Sequence, residues 1–517
     1  MDLKKCEIAE FCGGCKYQGV DYRGQLADKD KNIRNLLQKH KIDSSIYEGI
    51  VPSFSKYGYR NKMEYTFGDF EKGGNLELGM HRKKHFMSIV TSSMCQLVPE
   101  DFNKILKTTL EFCRDNKYSF YNKKTHIGLL RNLIIRHGVK TNELLVDIVT
   151  SKEGRVLISD REITSISEEE KYIGKISNNG IFDEKAYLDR LMNLDLENEI
   201  IGVLHTTNSS LADAVIDSGT KILYGRDYYE EELLGLKFKV NIFAFFQTNI
   251  RAVERLYKEA LELVPDIDGK IVYDLYCGTG TISELSALKA KEVYGIEISE
   301  DAVKSAISNT ELNGIKNCHY ILGDVKEKLD ELKEKPDLII VDPPRAGLHD
   351  KVVRMLASYG VSEILYISCN PKTLAMNIEQ FHYLGYEPVK MRAYDNFPMT
   401  GHVETVVLLS HKKADSYIHI DVEFGEGEGK IPVDSIAKRA EAYKPKEKVT
   451  YKMIKEYIEA KYGFKVHTAY IAEVKRNLGL PMYDAPNMVE ELKQPRRHPT
   501  AEKVEAIKDA LKHFGVI

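Results

Sequence analysis

The feature that most restricts the fold is an apolar strand that runs into a glycine-rich turn and then into a helix. The stretch KIVYDLYCGTGTISELSALKA begins with the strand 271–275, and KEVYGIEIS supplies the next strand, which ends at Glu297. From about residue 245 to 411, strands alternate with helices, which is typical of a parallel sheet covered by helices. We therefore predict an α/β domain over residues 245–412.

Polar residues follow the strands of this predicted sheet at one edge. Glycines in the turn let the backbone approach a ligand closely, and a carboxylate about 20 residues further on, here Glu297, can accept hydrogen bonds from ribose hydroxyls. Asp324 follows a third strand in ILGDV, and Asp342 ends a fourth in PDLIIVDPP. A glycine-rich turn alone is common for structural reasons, but this set of strand ends favours a cofactor-binding crevice.

A cysteine and a glutamate are the candidate catalytic pair. Cys369 comes just after the fifth strand, 364–367, and just before a helix, whose dipole favours a thiolate. The alternative is a small apolar residue that closes the strand, since buried free cysteines are common. Glu404 begins the last strand of the domain. We interpret Cys369 as a nucleophile and Glu404 as a general base.

Five motifs carry a family resemblance. FFQTN at 245–249, DLYCGTG, DPPRAGL, SCNP and FPMTGHVE occur in the order found in RNA uracil-5-methyltransferases, and the similarity runs from Cys6 to about residue 411. The resemblance implies a Rossmann-like class I methyltransferase fold that uses S-adenosylmethionine. It gives Cys369 the attack on carbon 6 of uracil and Glu404 the removal of the carbon 5 hydrogen. It also implies five contacts to S-adenosylmethionine, from Gln247, Tyr276, Glu297, Asp324 and Asp342.

The implied substrate is a uridine in RNA, which must be flipped out or single-stranded to reach a buried thiol. Three phenylalanines are candidates for stacking on the target base, with an ordinary core position as the alternative: Phe245, Phe246 and Phe397. Within this family, iron–sulfur-bearing members usually act on 23S ribosomal RNA, so we expect that substrate. The T-loop uridine of transfer RNA is the alternative, and a non-catalytic RNA-binding or assembly factor is the alternative of another class.

Three cysteines fall within ten positions near the start of the chain: Cys6, Cys12 and Cys15. A metal centre or iron–sulfur cluster normally has four protein ligands. The C-x5-C-x2-C spacing resembles that of the cluster-bearing members, and the resemblance supplies Cys95 as the fourth ligand. It favours a [4Fe-4S] cluster with a structural role, while zinc remains the alternative because four thiolates suit it as well.

The remaining sequence defines the expected organisation. We predict an iron–sulfur segment and helix at 1–40, a mostly β RNA-binding domain at 41–244 that supplies Cys95, the methyltransferase domain at 245–412, and a helical extension at 413–517. Basic residues in the second domain suit a phosphate backbone or form an ordinary solvated face: Arg60, Lys62, Arg82, Lys83 and Lys84. The extension contains a helix-turn-helix-like pair followed by a basic loop and a final helix; the pair either adds RNA affinity or is a solvated appendage. The predicted N-cap and stop are Thr450 and Gly463 for the first helix of the pair, and Thr468 and Gly479 for the second.

Composition restricts the location. The chain of 517 residues is 29 % charged with a net charge of −4, and it contains no apolar run long enough to span a bilayer. Its first residues lack the apolar segment of a signal peptide. We expect a cytoplasmic monomer without a membrane partner, with its eight cysteines as thiols or ligands rather than disulfides.

Overall fold

The computed structural model describes residues 5–151, 181–211, 215–332, 334–411, 451–478 and 499–514. The chain divides into two compact units, Met1–Tyr417 and Ile418–Ile517. Every helix within the described ranges is too short or too polar to cross a bilayer.

The first unit contains the strands of two large sheets. The first eight strands are β1 (Tyr47–Val51), β2 (Lys62–Asp69), β3 (Leu76–Arg82), β4 (His85–Thr91), β5 (Leu130–Gly138), β6 (Glu143–Thr150), β7 (Glu199–Thr207) and β8 (Thr220–Gly225). They are followed by β9 (Tyr228–Leu233), β10 (Leu236–Asn241), β11 (Ile271–Leu275), β12 (Glu292–Glu297), β13 (Cys318–Leu322), β14 (Leu338–Val341), β15 (Glu363–Ser368), β16 (Tyr386–Tyr394) and β17 (Glu404–His411).

Helices cover the sheets of this unit. They are α1 (Tyr22–Lys39), α2 (Glu100–Asp115), α3 (Glu184–Met192), α4 (Ile250–Leu263), α5 (Thr281–Ala287), α6 (Glu300–Leu312), α7 (Val325–Lys328), α8 (Asp350–Ser358) and α9 (Pro371–Tyr383). Short 3₁₀ turns occupy Ser44–Ile46 and Leu329–Glu331.

The predicted parallel sheet is present and is part of a larger mixed sheet. Its strand order is β1-β16-β17-β15-β14-β11-β12-β13. Strands β11 to β15 run parallel, whereas β17 is antiparallel to both β15 and β16. Successive side chains of a strand point to opposite faces: Val272 packs with α4 and α5, and Tyr273 packs with α8 and α9. Helices therefore cover both faces, which leaves the carboxyl ends of the strands as the open crevice.

The second sheet has the order β4-β3-β2-β5-β6-β7-β8 and is antiparallel except for the β6/β7 pair. Helices α2 and α3 pack on one of its faces. On the other face, Ile134 and Leu145 share a hydrophobic core with Tyr229 of the β9/β10 hairpin and Val253 of α4. This shared core joins the mostly β part of the chain to the eight-stranded sheet.

One strand differs from the predicted division. Strand β1 lies in the range 41–244, yet it pairs in parallel with β16, where Tyr47 stands opposite Met391. It therefore forms the edge of the eight-stranded sheet rather than part of the seven-stranded sheet. A strand of five residues carries no local signal that selects one sheet over another, because its partner is distant in sequence.

Helix α1 also differs in the face that it buries. The apolar pattern predicts a buried stripe of Leu26, Ile33, Leu36 and Leu37. The buried positions are instead spaced by four and include two polar residues: Gln25, Lys29, Ile33 and Leu37. Lys29 is buried because its ammonium group pairs with a buried carboxylate, that of Asp395.

The second unit has its own small core. Helices α10 (Tyr451–Tyr462), α11 (Thr468–Asn477) and α12 (Ala501–His513) bury Ile454, Ile458, Ile471, Ile507 and Leu511. The predicted helix stop Gly463 has a φ of 75°. The predicted cap of α11 was Thr468, but the N-cap is His467, whose ring accepts a hydrogen bond from the Ala469 N–H. The other predicted cap and stop, Thr450 and Gly479, and the basic segment 494–498 lie outside the described residues.

Candidate active site

A cavity of about 1180 Å³ opens at the carboxyl ends of the parallel strands. Six of the seven residues predicted to act in catalysis or cofactor binding line it: Gln247, Tyr276, Glu297, Asp342, Cys369 and Glu404. They come from the ends of four parallel strands, from the start of β17 and from the segment before α4. The fold thus brings residues from 247 to 404 to one concave surface.

The glycine-rich turn is held against the carboxylate that follows β12. Tyr276 has a left-handed backbone with a φ of 65°, directly after β11. Gly280 has a φ of 82°, and a Cβ there would lie 2.3 Å from the Tyr320 hydroxyl, so this position requires glycine. Glu297 Oε2 accepts a hydrogen bond from the Gly278 N–H at 3.1 Å. The turn and the carboxylate therefore form one preorganised wall of the cavity.

Strand pairing brings Cys369 and Glu404, the predicted nucleophile and base, to the same end of two neighbouring strands. In the antiparallel β15/β17 pair, Ser368 stands opposite Thr405, and the Thr405 hydroxyl donates to the Ser368 carbonyl at 3.1 Å. Cys369 directly follows Ser368 and Glu404 directly precedes Thr405, so both residues lie at the end of this strand pair that meets the cavity. Cys369 is half-buried, whereas the Glu404 side chain is 8 % exposed. Two residues that are distant in sequence thus share one end of a rigid ladder.

The electrostatics of the cavity favour neutral acids. Burial, followed by the charge of Asp342, raises the pKa of Glu404 to about 8. Burial, followed by Asp274, raises the pKa of Asp342 to about 7. Burial and then the charges of Glu404 and Asp342 raise the pKa of Cys369, while Arg345 lowers it. Groups poised near neutrality in a cleft are suited to proton transfer.

Sequence reasoning did not assign Arg345 and His402, although both lie inside the quoted motifs. Both line the cavity. Burial and then the positive charge of Arg345 lower the pKa of His402, and the same charge partly opposes the rise in the pKa of Glu404. The Arg345 carbonyl accepts from the Asn370 side chain at 2.9 Å, which ties the DPPR segment to the start of α9. The arginine of the DPPR motif, Arg345, was the sequence signal that could have indicated a cation at this site.

A second, smaller cavity of about 350 Å³ lies beside the first. Cys369, Arg345 and His402 line both cavities, and Lys29 and Lys372 line only the smaller one. Cys369 therefore lies between the two cavities and borders both.

Gln247 is oriented by a residue that the sequence did not single out. Its side-chain amide donates to the Tyr257 hydroxyl on α4 at 3.0 Å. Tyr257 also lines the cavity. Its role in holding Gln247 depends on tertiary contact, so no local pattern could have indicated it.

The three candidate stacking residues have different environments. Phe246 also borders the cavity, but it is 4 % exposed and its ring packs against Phe238 at 5.6 Å between centroids, so it is mainly a core residue. Phe245 is 70 % exposed and lines the cavity. Phe397 also lines the cavity and meets the His402 ring edge-on. Two of the three are therefore available to a bound base.

Asp324 is not among the residues that line the cavity, and its side chain caps a helix instead. Its carboxylate caps α7 by accepting from the Lys326 N–H at 2.8 Å. It follows β13, next to the strand that ends in Glu297, so it lies at the same sheet edge.

The four predicted metal-ligand cysteines lie close enough to interact electrostatically. Burial raises the pKa of Cys12, Cys15 and Cys95, the last to about 11, and the charge of Cys6 adds to each of these shifts. Within the described part of the chain, no three His, Cys, Asp or Glu side chains are grouped as ligands of one metal ion. The donor set is four thiols, which suits soft metals and iron–sulfur clusters.

The basic residues near this cysteine group have varied contacts. Lys83 Nζ donates to the Ala9 carbonyl at 2.7 Å, and the Arg82 guanidinium lies 4.4 Å from the centre of the Phe70 ring. Only Arg60 of the predicted basic set lines the large cavity. Part of the predicted phosphate-binding surface therefore holds the N-terminal segment.

Comparison with known proteins connects this geometry to a family. Residues 211–412 match the model of the tRNA (uracil-5-)-methyltransferase family. An uncharacterized RNA methyltransferase of Clostridium acetobutylicum is 44 % identical over 408 residues, which cover 79 % of this chain and 84 % of the relative. Another from Caldanaerobacter subterraneus is 44 % identical over 398 residues, covering 77 % and 82 %.

A solved structure has the same fold over most of the chain. It is a Pyrococcus abyssi tRNA (uracil-54, C5)-methyltransferase in complex with S-adenosyl-L-homocysteine, with a TM-score of 0.58 and 26 % identity. The similarity covers 77 % of this chain and 86 % of the Pyrococcus chain. The chain belongs to the RNA uracil-5-methyltransferase family and is an S-adenosylmethionine-dependent RNA methyltransferase.

Proposed function

We propose that this enzyme methylates carbon 5 of a specific uridine through a covalent adduct between Cys369 and the uracil ring. The observation that supports the proposal is that Cys369 and Glu404 flank the last residues of the β15/β17 pair, line one cavity and lie close enough for the charge of Glu404 to act on Cys369. Carbon 5 of uracil is too weak a nucleophile to accept a methyl group unaided. Once carbon 5 carries the methyl group, a second group on the same side of the cavity as the cysteine must remove the hydrogen from carbon 5.

The proposed reaction uses the two residues in sequence. The Cys369 thiolate forms a bond to carbon 6, and the ring electrons move to make carbon 5 nucleophilic. S-adenosylmethionine supplies the methyl group that carbon 5 takes up. Glu404 then removes the carbon 5 proton, the electron pair forms the 5,6 double bond, and the sulfur–carbon 6 bond breaks to release the thiolate. The products are 5-methyluridine, S-adenosylhomocysteine and free Cys369, with the carbon 5 proton left on Glu404.

The raised pKa of Glu404, about 8, supports its assignment as the base. A carboxylate with an ordinary pKa would be a weak acceptor for a carbon-bound proton, whereas a buried carboxylate is more basic. Asp342 contributes to this shift.

The cofactor-binding assignment rests on the wall of the large cavity. Gln247, Tyr276, Glu297 and Asp342 would hold S-adenosylmethionine, with Glu297 at the position expected for a ribose contact. The left-handed turn at Tyr276 and Gly280 leaves room for a ligand against the backbone. Asp324 remains the weakest member of this set, because its carboxylate caps α7.

For the substrate we propose 23S ribosomal RNA, on the basis of the four-cysteine pattern. The solved Pyrococcus structure is that of a transfer RNA methyltransferase, and this makes a transfer RNA T-loop uridine the second candidate. RNA would contact the mostly β region 41–244, where Arg60 reaches the cavity. Phe245 and Phe397 are the candidates for stacking on a flipped base.

For the N-terminal segment we propose a [4Fe-4S] cluster held by Cys6, Cys12, Cys15 and Cys95. Support comes from the donor set of four thiols and from their mutual electrostatic influence. The cluster would fix this segment to the region around β3, where the backbone of Cys12 already forms an isolated antiparallel β-bridge with Arg82. Zinc is the alternative.

The test is methylation of unmodified ribosomal and transfer RNA by anaerobically purified protein with labelled S-adenosylmethionine. We expect labelled 5-methyluridine in digested large-subunit RNA and none with Cys369→Ala. Label in transfer RNA alone would replace the substrate and keep the mechanism. Absence of label in both RNAs, with S-adenosylmethionine bound, would overturn the enzymatic proposal in favour of a non-catalytic RNA-binding or assembly role.

A further inference from the structure

We propose that four residues of the N-terminal segment, Lys16, Tyr17, Gln25 and Lys29, position the catalytic base by holding the loop that precedes it. The proposal rests on the role proposed for Glu404. We call residues 395–403, which connect β16 to β17, the base loop. These four residues are positioning residues, because they act on Glu404 through this loop.

The base loop begins next to the base itself. In the antiparallel β16/β17 pair, Tyr394 stands opposite Glu404, and Asp395 is the next residue along the chain. The Asp395 N–H donates to the Val51 carbonyl of β1 at 2.9 Å. A displacement of Asp395 therefore disturbs the end of the ladder at the position where Glu404 enters the cavity.

The first hold on the base loop is a buried ion pair. Lys29 Nζ lies 2.5 Å from Asp395 Oδ1, and the two side chains are 1 % and 0 % exposed. Lys29 Nζ also donates to the Phe397 carbonyl at 3.2 Å. Loss of one partner would leave an uncompensated buried charge, which strongly disfavours the same packing. Helix α1 is thus fixed to the start of the base loop.

The second hold is at Met399, which has a left-handed backbone with a φ of 68°. Its carbonyl accepts hydrogen bonds from the N–H groups of Lys16 at 2.8 Å and Tyr17 at 3.0 Å. Its own N–H donates to Gln25 Oε1 at 3.0 Å. A non-glycine residue keeps this conformation only where its surroundings enforce it. The three hydrogen bonds supply that constraint.

The contacts separate the base from the nucleophile. Cys369 follows β15, and Asn370 caps α9 and bonds to the DPPR segment, so the nucleophile has supports of its own. The base loop leads directly into Glu404. Loosening the base loop should therefore slow proton removal at carbon 5 more than formation of the Cys369 adduct. A residue needed only for folding would lower both steps together.

The experiment measures the two steps separately with the full chain. Lys29→Met is compared with Lys39→Met, the same change at an exposed position on the same helix. Covalent protein–RNA complex is followed on denaturing gels in single-turnover reactions, together with 5-methyluridine and RNA affinity. We expect Lys29→Met to form the adduct within about twofold of wild type and to resolve it about tenfold more slowly. Lys39→Met should match wild type.

Two further variants guard against misfolding. Gln25→Ala removes the hydrogen bond to Met399 without unpairing a charge, and it should cause a smaller delay in resolution. The double variant Lys29→Met/Asp395→Asn also removes the carboxylate that Lys29→Met leaves buried without its partner. It should therefore fold and bind S-adenosylmethionine as wild type does, while resolution of the adduct stays slow. Equal losses of adduct formation and resolution in folded variants, or unchanged resolution, would overturn the proposal. Weaker RNA binding with normal resolution would also overturn it, in favour of an RNA contact from the smaller cavity.

The controls distinguish this proposal from the reaction scheme beneath it. If Cys369→Ala still makes 5-methyluridine, the proposed covalent mechanism fails. If Cys369→Ala is inactive but Lys29→Met and Gln25→Ala resolve adducts normally, only the positioning role fails.

Discussion

Asp342 and Glu404 lie close enough in the cavity for the charge of Asp342 to raise the pKa of Glu404, in addition to the effect of burial. Asp342 follows β14, and Glu404 begins β17, so two different strands bring the carboxyl groups together. Arg345 opposes this effect. The basicity of Glu404 is thus set by three parts of the structure: a buried site, a neighbouring acid and a nearby cation.

The pH dependence of adduct resolution follows from this arrangement. Only ionised Glu404 can accept the carbon 5 proton, so resolution should fall about tenfold per pH unit well below the pKa and level off above about 8. Adduct formation should also rise with pH. Burial raises the pKa of Cys369, so the thiol is largely protonated near neutral pH, and only the thiolate can attack carbon 6. Single-turnover measurements from pH 6 to about 9.5 check both steps. Resolution that is independent of pH would contradict the assignment of Glu404.

Arg345→Met should move both pH profiles to higher pH. Its positive charge lowers the pKa of Cys369 and of Glu404, so removal of the charge raises both. We expect a displacement of roughly half a unit to one unit at saturating RNA. Arg345→Lys keeps the charge and should shift the profiles less. Unchanged midpoints with weaker RNA affinity would mean that Arg345 serves as a phosphate contact instead.

The sequence located both members of the predicted pair at strand ends, Cys369 just after β15 and Glu404 at the start of β17, because both strands have a strong apolar pattern. It did not predict that Cys369 and Glu404 lie at the same end of two neighbouring strands. That relationship requires β17 to insert between β15 and β16, and strand order arises from tertiary packing rather than from local pattern. The contact between Gln247 and Tyr257 escaped prediction for the same reason.

The buried ion pair of α1 marks another limit of sequence reasoning. A lysine within an amphipathic helix is normally placed on the solvent face, because burial of a charge is costly unless it is paired. The partner of Lys29 is Asp395, 366 residues away, so no window along the chain contains both. Similarly, no local pattern could assign β1 to the eight-stranded sheet, because its partner β16 is distant in sequence.

Removal of the second unit is expected to weaken RNA binding and to leave the S-adenosylmethionine site intact. Helices α10 to α12 have their own core, so deletion of 418–517 should not expose the core of the first unit. We expect RNA affinity to fall about tenfold at fixed salt, with loss of phosphate contacts, and S-adenosylmethionine affinity to change less than about twofold. A truncated chain that binds and methylates RNA as well as the full chain would contradict an RNA-binding role.

Cys12→Ser should reduce bound metal and loosen the N-terminal segment. Anaerobically purified wild type should contain iron and sulfide with visible absorbance, and loss of one thiolate ligand should diminish both. Limited proteolysis should cut the variant more readily within residues 5–18, because that segment would lose its metal anchor. Cys113→Ala changes a buried cysteine in the core between α2 and the seven-stranded sheet, and this variant should retain the metal. Zinc in place of iron would select the alternative metal, and absence of metal would refute the centre.

Glu404→Gln should transfer the methyl group and then stop. The amide is nearly the same size as the carboxylate but cannot accept the carbon 5 proton, so elimination of Cys369 is blocked while attack on carbon 6 remains possible. Denaturing gels should show labelled RNA attached to protein, and mass spectrometry should place the methylated nucleotide on Cys369.

Glu379→Gln, an exposed change on α9, is the matched control and should turn over normally. The adduct should be absent from Cys369→Ala/Glu404→Gln. Normal turnover by Glu404→Gln would assign the base to another group, and among the cavity residues Asp342, with a pKa of about 7, would be the next to test.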